Sequence, residues 1–274
     1  YKGFRPLMIG ENEETRVIAS ENAAIEILNI DSYRDIEPGE IVVIDKESIK
    51  SSQSEKTSYK KHCIFEYIYT SRPDANIEGV NSYMFRRRTG ELLYKQNPIK
   101  ADLVCPVPDS GTPSAIGFAQ VSGIPFAEGL VKNRYMGRSF IKSSQKERDL
   151  AVRLKLNPQK SVINGKSIVL VDDSIVRGTT SAKLIKRMRK AGAKEVHFRV
   201  TSPPFINPCF YGIDTPDKEN LLASRLSVEQ MREKIGADSL DFVNLDNLLK
   251  LIDKPDNYCT ACFDGNYPIK KDII

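Results

Sequence analysis

Residues 168–180 read IVLVDDSIVRGTT: an apolar, β-favouring run that ends on two adjacent carboxylates and then on a short loop of Ser, Arg, Gly and two Thr. Such a run, bounded by turn-forming residues, predicts a buried strand, SIVLVD (167–172). The next segment, TSAKLIKRMRKAG (180–192), is a helix by its spacing. Leu184, Ile185, Met188 and Ala191 share one face, Lys183, Lys186, Arg187 and Lys190 lie mostly on the other, and Gly192 is a natural stop. EVHFRVTSPP (195–204) is then a second strand, ended by Pro203-Pro204. Strand, helix and strand in this order are the unit of a parallel sheet, and ligands of such sheets sit at the carboxyl ends of the strands, where Asp172 and Asp173 fall.

The same alternation extends upstream. IFEYIYT (64–70) predicts a strand, NIEGVNSYMFRRRTGELLYK (76–95) a helix, ADLVCPV (101–107) a strand and TPSAIGFAQVSG (112–123) a helix closed by Gly123. A polar stretch from Asn133 to about Lys142 precedes a helix predicted around 145–155. Residues 62–202 therefore imply an α/β fold, a mainly parallel sheet with helices on both faces. Downstream the chain turns helical. Ser227 and Gln230 have the spacing of a capping box opening SVEQMREKIG, and NLDNLLKLI places Leu245, Leu248, Leu249 and Ile252 on one side. At the other end, RVIAS (16–20) and IVVID (41–45) are short strands and ENAAIEILN (21–29) a helix, marginal as a domain of about sixty residues. KSSQSEKTSYKK (50–61) reads as a linker or exposed loop.

Composition narrows the chemistry. The chain has 274 residues, 40% of them hydrophobic and 28% charged, with a net charge of +5 from 41 basic and 36 acidic residues. No apolar run approaches the roughly 18 residues of a membrane span, and no secretory signal opens the chain. The expectation is a cytoplasmic, soluble protein with no nucleic-acid or membrane partner. Its densest basic run, Arg86-Arg87-Arg88, lies in a predicted helix and reads as a solvated face. Five cysteines without a secretory signal argue against a disulfide framework and leave thiols or metal ligands.

In the opening stretch, Gly178 lets backbone curl around a ligand, Ser174, Thr179 and Thr180 add donors without bulk, and the following helix offers unpaired N–H groups. Together they describe a cradle for a phosphate monoester, with Asp172 and Asp173 placed for sugar hydroxyls or hydrated Mg²⁺. The alternative is that Asp173 or Ser174 only caps the helix. Neither a Walker A loop nor a dinucleotide fingerprint is present. Asp109-Ser110-Gly111, after the strand LVCPV, is by itself compatible with a plain turn. Cys259 and Cys262 form a lone Cys-x-x-Cys; four thiolates with Cys63 and Cys209 would suit zinc or an iron–sulfur cluster, and free thiols remain the plain alternative. Cys105, within an apolar strand, reads as core.

VLVDDSIVRGTT resembles the phosphoribosylpyrophosphate (PRPP) motif of type I phosphoribosyltransferases, in the variant of the glutamine PRPP amidotransferases. EYIYTSRPDANIEG, PVPDSGTPSAIGFA, VKNRYMGRSFI, PCFYGIDTP, IGADSL and CTACFDGNYP resemble segments of that family in the same order, across essentially the whole chain. The resemblance implies a type I phosphoribosyltransferase fold over 61–274, with a C-terminal helical, cluster-binding tail. Residues 1–60 would be the late part of an N-terminal-nucleophile glutaminase α+β sandwich. It implies that Asp172 and Asp173 face the ribose hydroxyls and Mg²⁺, that Ser174, Ile175, Val176, Arg177, Gly178, Thr179 and Thr180 hold the 5′-phosphate, and that Asp109, Ser110 and Gly111 form the pyrophosphate loop with Ser110 near Mg²⁺.

By the same resemblance, KNRYMGRSFI is a closing loop. Lys132 and Arg134 would neutralise the leaving pyrophosphate, and Tyr135 would wall the ammonia path. Cys63, Cys209, Cys259 and Cys262 match the four ligands of a [4Fe–4S] cluster. The implied reaction replaces pyrophosphate on PRPP by ammonia, giving 5-phosphoribosylamine, the first step of purine synthesis. The family's glutaminase nucleophile is an N-terminal Cys. Here the chain begins at Tyr1 and no Cys precedes Cys63, so the glutaminase half is expected in cis or trans outside this sequence and glutamine hydrolysis is not expected from it alone. Purine nucleotides are the candidate inhibitors, and a homo-tetramer or dimer is the implied assembly. A PRPP-sensing regulator and a purine base phosphoribosyltransferase are the competing readings.

Overall fold

The computed structural model describes residues 2–45, 48–54, 59–133 and 156–269. Contacts divide the chain into two compact units that interleave in sequence: Tyr1–Phe85 with Cys209–Thr215 and Leu249–Ile274, and Arg86–Pro208 with Pro216–Leu248.

In the first unit, β1 (Met8–Glu11) pairs antiparallel with β2 (Arg16–Ala19) and, after the short helix α1 (Asn22–Glu26), with β3 (Tyr33–Asp35). Met8, Ile25 and Ile30 form the small core beneath this sheet. A hairpin of β4 (Glu40–Ile44) and β5 (Ile49–Gln53) follows, so residues 50–53 of the expected linker are strand. Polar β5 side chains stay exposed while its backbone completes the ladder to β4. β6 (His62–Cys63) is short.

Residues 64–70, expected as a strand, wind instead into one π-helical turn at Glu66–Thr70. The reason is a buried carboxylate. Glu66 pairs with Arg5 at 2.7 Å and Thr70 Oγ1 donates to it, while the Ser71 hydroxyl donates to the Glu66 carbonyl at 2.7 Å. These partners lie four and five residues apart, a spacing only a helical turn brings together. Upstream of the next helix, residues 76–81 are a hairpin of β7 (Asn76–Ile77) and β8 (Val80–Asn81), turned by Glu78 and Gly79, both at positive φ. That turn breaks the predicted helix, which begins only at Ser82: α2, Ser82–Gln96.

The second unit is built on four parallel strands: β9 (Leu103–Pro106) next to β12 (Ser167–Asp172), then β13 (Glu195–Val200), then β14 (Ser239–Phe242). Between β9 and β12 the chain passes through α3 (Thr112–Ser122), the antiparallel pair β10 (Leu130–Lys132) and β11 (Leu156–Pro158), and the short α4 (Lys160–Ile163). Ile168, Val169, Leu170 and Val171 are all 0% exposed, so β12 is covered on both faces, as its unbroken apolar run requires. One face packs Ile168, Leu170, Phe198 and Val200 against Leu184, Ile185 and Met188 of α5 (Thr179–Lys190) and against Met231 and Ile235 of α6 (Val228–Ile235). Ser227 opens α6 with the expected capping box. β14 had no counterpart in the sequence reading, since SLDF is too short to show a period. α7 (Leu245–Leu249) is shorter than the stretch to Ile252 predicted.

The chain then returns to the first unit. β15 (Tyr258–Cys259) pairs in parallel with β6, and α8 (Ala261–Asp264) follows.

Candidate phosphoribosyl site

The sheet order places a crevice. After β9 the chain runs through α3 to Phe126, which bridges Val104 in parallel on the outer side of β9, whereas β12 lies on its inner side. The connections leave β9 in opposite directions, so the loops after β9 and β12 flank a switch point at the carboxyl ends of the strands.

Those loops hold Asp109, Ser110 and Gly111 on one side and Asp172 through Gly178 on the other. Ser110 Oγ donates to Asp173 Oδ2 at 2.5 Å, joining the two across sixty-three residues of sequence. The loops also lie against each other's backbone. A Cβ on Gly111 would sit 2.4 Å from the Val171 carbonyl, so only glycine fits there. Lys132, at the end of β10, donates to the Asp109 carboxylate, which brings a cation to the same loop. Arg134 and Tyr135 lie outside the described residues.

Asp172 is half-buried and Asp173 is 7% exposed. Burial raises the pKa of Asp172 well above the ordinary carboxylate value, and the neighbouring Asp173 charge adds to it. Burial raises Asp173 too, opposed by hydrogen bonds from Ser110 and Ser174 and by the positive charge of Arg86. The Ser174 hydroxyl donates to Asp173 Oδ1 at 2.6 Å, which engages both carboxylate oxygens. From the neighbouring strand, the Thr201 and Ser202 N–H groups donate to the Asp172 and Asp173 carbonyls at 3.0 and 2.9 Å.

The loop after the acids divides its labour. Ile175 is 1% exposed and belongs to the core, so only its backbone faces the crevice. Arg177, Thr179 and Thr180 are exposed. Gly178, at φ 74°, caps α5, and a Cβ there would lie 2.6 Å from Leu222. The turn thus leaves the first N–H groups of α5 and two threonine hydroxyls open to an anion.

Arg86, read as part of a solvated face, is not solvated. In α2 the run Arg86-Arg87-Arg88 splits into buried, half-buried and exposed residues, with Arg86 2% exposed. It shares the inward stripe of Ser82, Phe85, Thr89 and Leu93, a periodicity present in the sequence that the charge run obscured.

The four cysteines converge in the first unit. Cys63 and Cys259 are direct partners in the β6–β15 ladder, and Cys262 follows in α8. All five cysteines are free, and Cys105 is buried core as expected. Burial, then Glu66 and the neighbouring cysteine thiolates, pushes Cys63 up to about 12. Burial pushes Cys259 up to about 11, and Cys262 is raised by burial and by the charges of Cys63, Cys259 and Cys209. The Tyr211 N–H donates to Cys209 Sγ at 3.3 Å. Four mutually interacting soft donors with no disulfide among them fit a four-thiolate group. As they stand, no three His, Cys, Asp or Glu side chains among the described residues are set to hold a metal ion. None of the helices described is long and apolar enough to cross a membrane.

A family model for the phosphoribosyl transferase domain matches residues 87–202, the segment that carries the crevice. The amidophosphoribosyltransferase of Methanocaldococcus jannaschii is 47% identical over 281 residues, covering 97% of this chain and 59% of the relative, and that of Bacillus subtilis is 46% identical over 97% and 57%. The solved glutamine PRPP amidotransferase of B. subtilis, complexed with ADP and GMP, superposes with a TM-score of 0.89 at 46% identity, over 98% of this chain and 60% of that one. The fold is that of the type I phosphoribosyltransferases. The chain belongs to the amidophosphoribosyltransferase family, and it spans between about half and three fifths of the length of the relatives it matches.

Proposed function

We propose that this chain is the phosphoribosyl-transfer portion of an amidophosphoribosyltransferase, forming 5-phosphoribosylamine and pyrophosphate from PRPP and ammonia in purine synthesis. The observation that carries the reading is the joining of the two loops at the switch point through Ser110 and Asp173, with Lys132 at the same loop. PRPP has a monoester at one end and a pyrophosphate at the other, and the crevice offers an anion cradle on either side of a carboxylate pair.

Residues Ser174 to Thr180 would take the 5′-phosphate and Asp109 to Gly111 the pyrophosphate. As the C1–O bond breaks and ammonia forms the C1–N bond, positive character grows on the ribose, where Asp172 and Asp173 oppose it. Negative charge grows on the departing pyrophosphate, where Lys132 opposes it; Arg134 and Tyr135, outside the described residues, would by the family resemblance add charge there and wall the path of ammonia. Asp172, Asp173 and Ser110 would hold Mg²⁺, whose contribution when bound is to neutralise the pyrophosphate.

Cys63, Cys209, Cys259 and Cys262 would hold a [4Fe–4S] cluster with a structural part, tying three segments of the first unit together. Residues 1–60 are read as glutaminase remnant. Ile18, Ile27, Leu28, Ile41 and Val43 are exposed by 51, 79, 50, 54 and 54%, apolar area that a glutaminase half in cis or trans would cover. Purine nucleotides are proposed as inhibitors, a reading supported by the nucleotides bound in the B. subtilis relative. A cytoplasmic homo-oligomer, dimer or tetramer, completes the proposal.

The deciding experiment supplies anaerobically prepared protein with PRPP and Mg²⁺, with ammonia or with glutamine, after assay of iron, zinc and sulfide. Phosphoribosylamine with ammonia alone is the expected result. Turnover with a purine base instead, or tight PRPP binding without turnover, would overturn the assignment. Zinc in place of iron and sulfide would overturn the cluster.

A further inference from the structure

An ammonium group is drawn to any nearby anion, and the backbone decides which anion stands beside it. The place of Lys132 is set by β10. Side chains alternate along a strand, so Lys132 shares the face of Leu130 and not that of Val131. Leu130, 2% exposed, packs into the core of the second unit, whereas Val131 is 43% exposed. The β10–β11 ladder holds Lys132 opposite Leu156, and the Gln159 N–H donates to the Gly129 carbonyl at 2.9 Å. The loop after β9 is fixed as firmly. The Val107 N–H donates to the Val171 carbonyl at 2.8 Å, the Gly111 N–H to the Val107 carbonyl at 3.1 Å and the Thr112 N–H to the Asp109 carbonyl at 3.2 Å. From these two supports, twenty-three residues apart, Lys132 Nζ donates to Asp109 Oδ2. The loop itself, PVPDSGT (106–112), contains no Lys or Arg. Lys132 is the positive charge brought to it, and a carboxylate of the same loop already holds that charge.

We propose that Asp109 is a specificity-determining residue of the crevice, a counter-ion that occupies Lys132 until a magnesium-complexed pyrophosphoryl group exchanges for it. The inference rests on the reading of the crevice as a PRPP site and deepens it, since it names the form of ligand the loop accepts. A bare pyrophosphoryl group must take Lys132 from Asp109 and then stay beside the carboxylate it displaced, a charge of its own sign. With Mg²⁺ bound, the same group brings positive charge with it, and the displaced carboxylate no longer opposes it. The exchange is open to an incoming anion because the Lys132 and Asp109 side chains are 37% and 71% exposed, and exposed ion pairs hold weakly. Sequence leaves Asp109 in a plain turn; its partner comes only with the fold.

The test is calorimetric titration of the full chain with inorganic pyrophosphate, in Mg²⁺ and in EDTA at constant ionic strength, beside the KM for Mg-PRPP with ammonia and the melting temperature. Wild-type protein is expected to bind Mg-pyrophosphate about tenfold or more tighter than the metal-free ion. Asp109→Asn should tighten metal-free pyrophosphate about tenfold and change Mg-pyrophosphate by less than about threefold, which collapses the preference. Asp109→Glu, which keeps the charge, should retain it. In a Lys132→Met background, where there is no pair to exchange, Asp109→Asn should gain less than about threefold for the metal-free ion. Asp109→Ala carries the comparison should the Asn variant not fold.

A folded Asp109→Asn that keeps the wild-type preference for Mg-pyrophosphate would overturn the proposal. An equal gain with and without Lys132 would overturn it too, because Asp109 would then be a repelling charge and not a counter-ion. Wild-type protein that binds neither Mg-pyrophosphate nor Mg-PRPP would overturn the crevice assignment and this inference together, whereas wild-type binding of Mg-PRPP with either of the previous results overturns the inference alone.

Discussion

At the scale of single residues, the site is built from groups that the fold holds at a cost. Burial raises Asp172 and Asp173 above the usual carboxylate range, so the folded apo-protein prefers a proton there more than the unfolded chain does. Their contribution to stability is present below the ordinary carboxylate value and is lost as pH rises through the raised one. Asp172→Asn removes the repulsion, so the melting temperature at neutral pH should rise by about 2–4 °C while Mg-PRPP use falls at least tenfold. Thermal scans beside ammonia-dependent kinetics check both; loss of stability with unchanged kinetics would contradict the account. His62 runs the other way. It is 2% exposed, its Nε2 has no hydrogen-bond partner among the described residues, and burial pushes it down to about 4. Its contribution is intact above the ordinary histidine value and is lost as pH falls from there to about 4, roughly 3 kcal/mol in all. His62→Gln should flatten the acid limb of a melting-temperature profile.

At the scale of elements, the crossing of α2 and α3 sets how accurately the loop at Ser110 meets Asp173. Gly117→Ala puts a methyl 2.0 Å from the Arg87 carbonyl, where no flexible side chain can yield. A loss of about 3 kcal/mol or more is expected in denaturant unfolding, with Mg-PRPP affinity falling alongside. Gly123→Ala is the control. It meets nothing within 4 Å, and its positive φ should cost about 1 kcal/mol. The cap of α6 supplies a smaller number: Ser227→Ala removes the hydroxyl that accepts from the Gln230 N–H and should cost about 1 kcal/mol without touching the crevice.

For the whole molecule, the two units do not follow the chain. Cys63, Cys209 and the Cys259–Cys262 pair come from three segments that are separated in sequence by stretches of the other unit and belong to one unit. Because burial and mutual repulsion raise the thiols of Cys63, Cys259 and Cys262, loading a four-thiolate group must release protons. Anaerobic reconstitution should therefore liberate protons, proceed further at pH 8 than at pH 6, and raise the melting temperature, all three lost together in Cys262→Ala. Proton-neutral uptake would contradict the assignment of these ligands.

Several features were legible without coordinates. SIVLVD is buried on both faces because an unbroken apolar run fits nothing else, the helix after it is amphipathic by count, and Ser227 with Gln230 announces a cap. Residue types likewise singled out the loop at 174–180 and the four cysteines that the fold collects in the first unit. Tertiary structure alone decided the rest. Whether residues 64–70 extend or coil depended on Arg5 finding Glu66, and whether Ser110 meets Asp173 on which side of β9 the chain crossed. Local patterns report what a residue's neighbours in sequence permit. Charges and hydroxyls acquire a role only when the topology, through contacts dozens of residues apart, brings them a partner and removes the water.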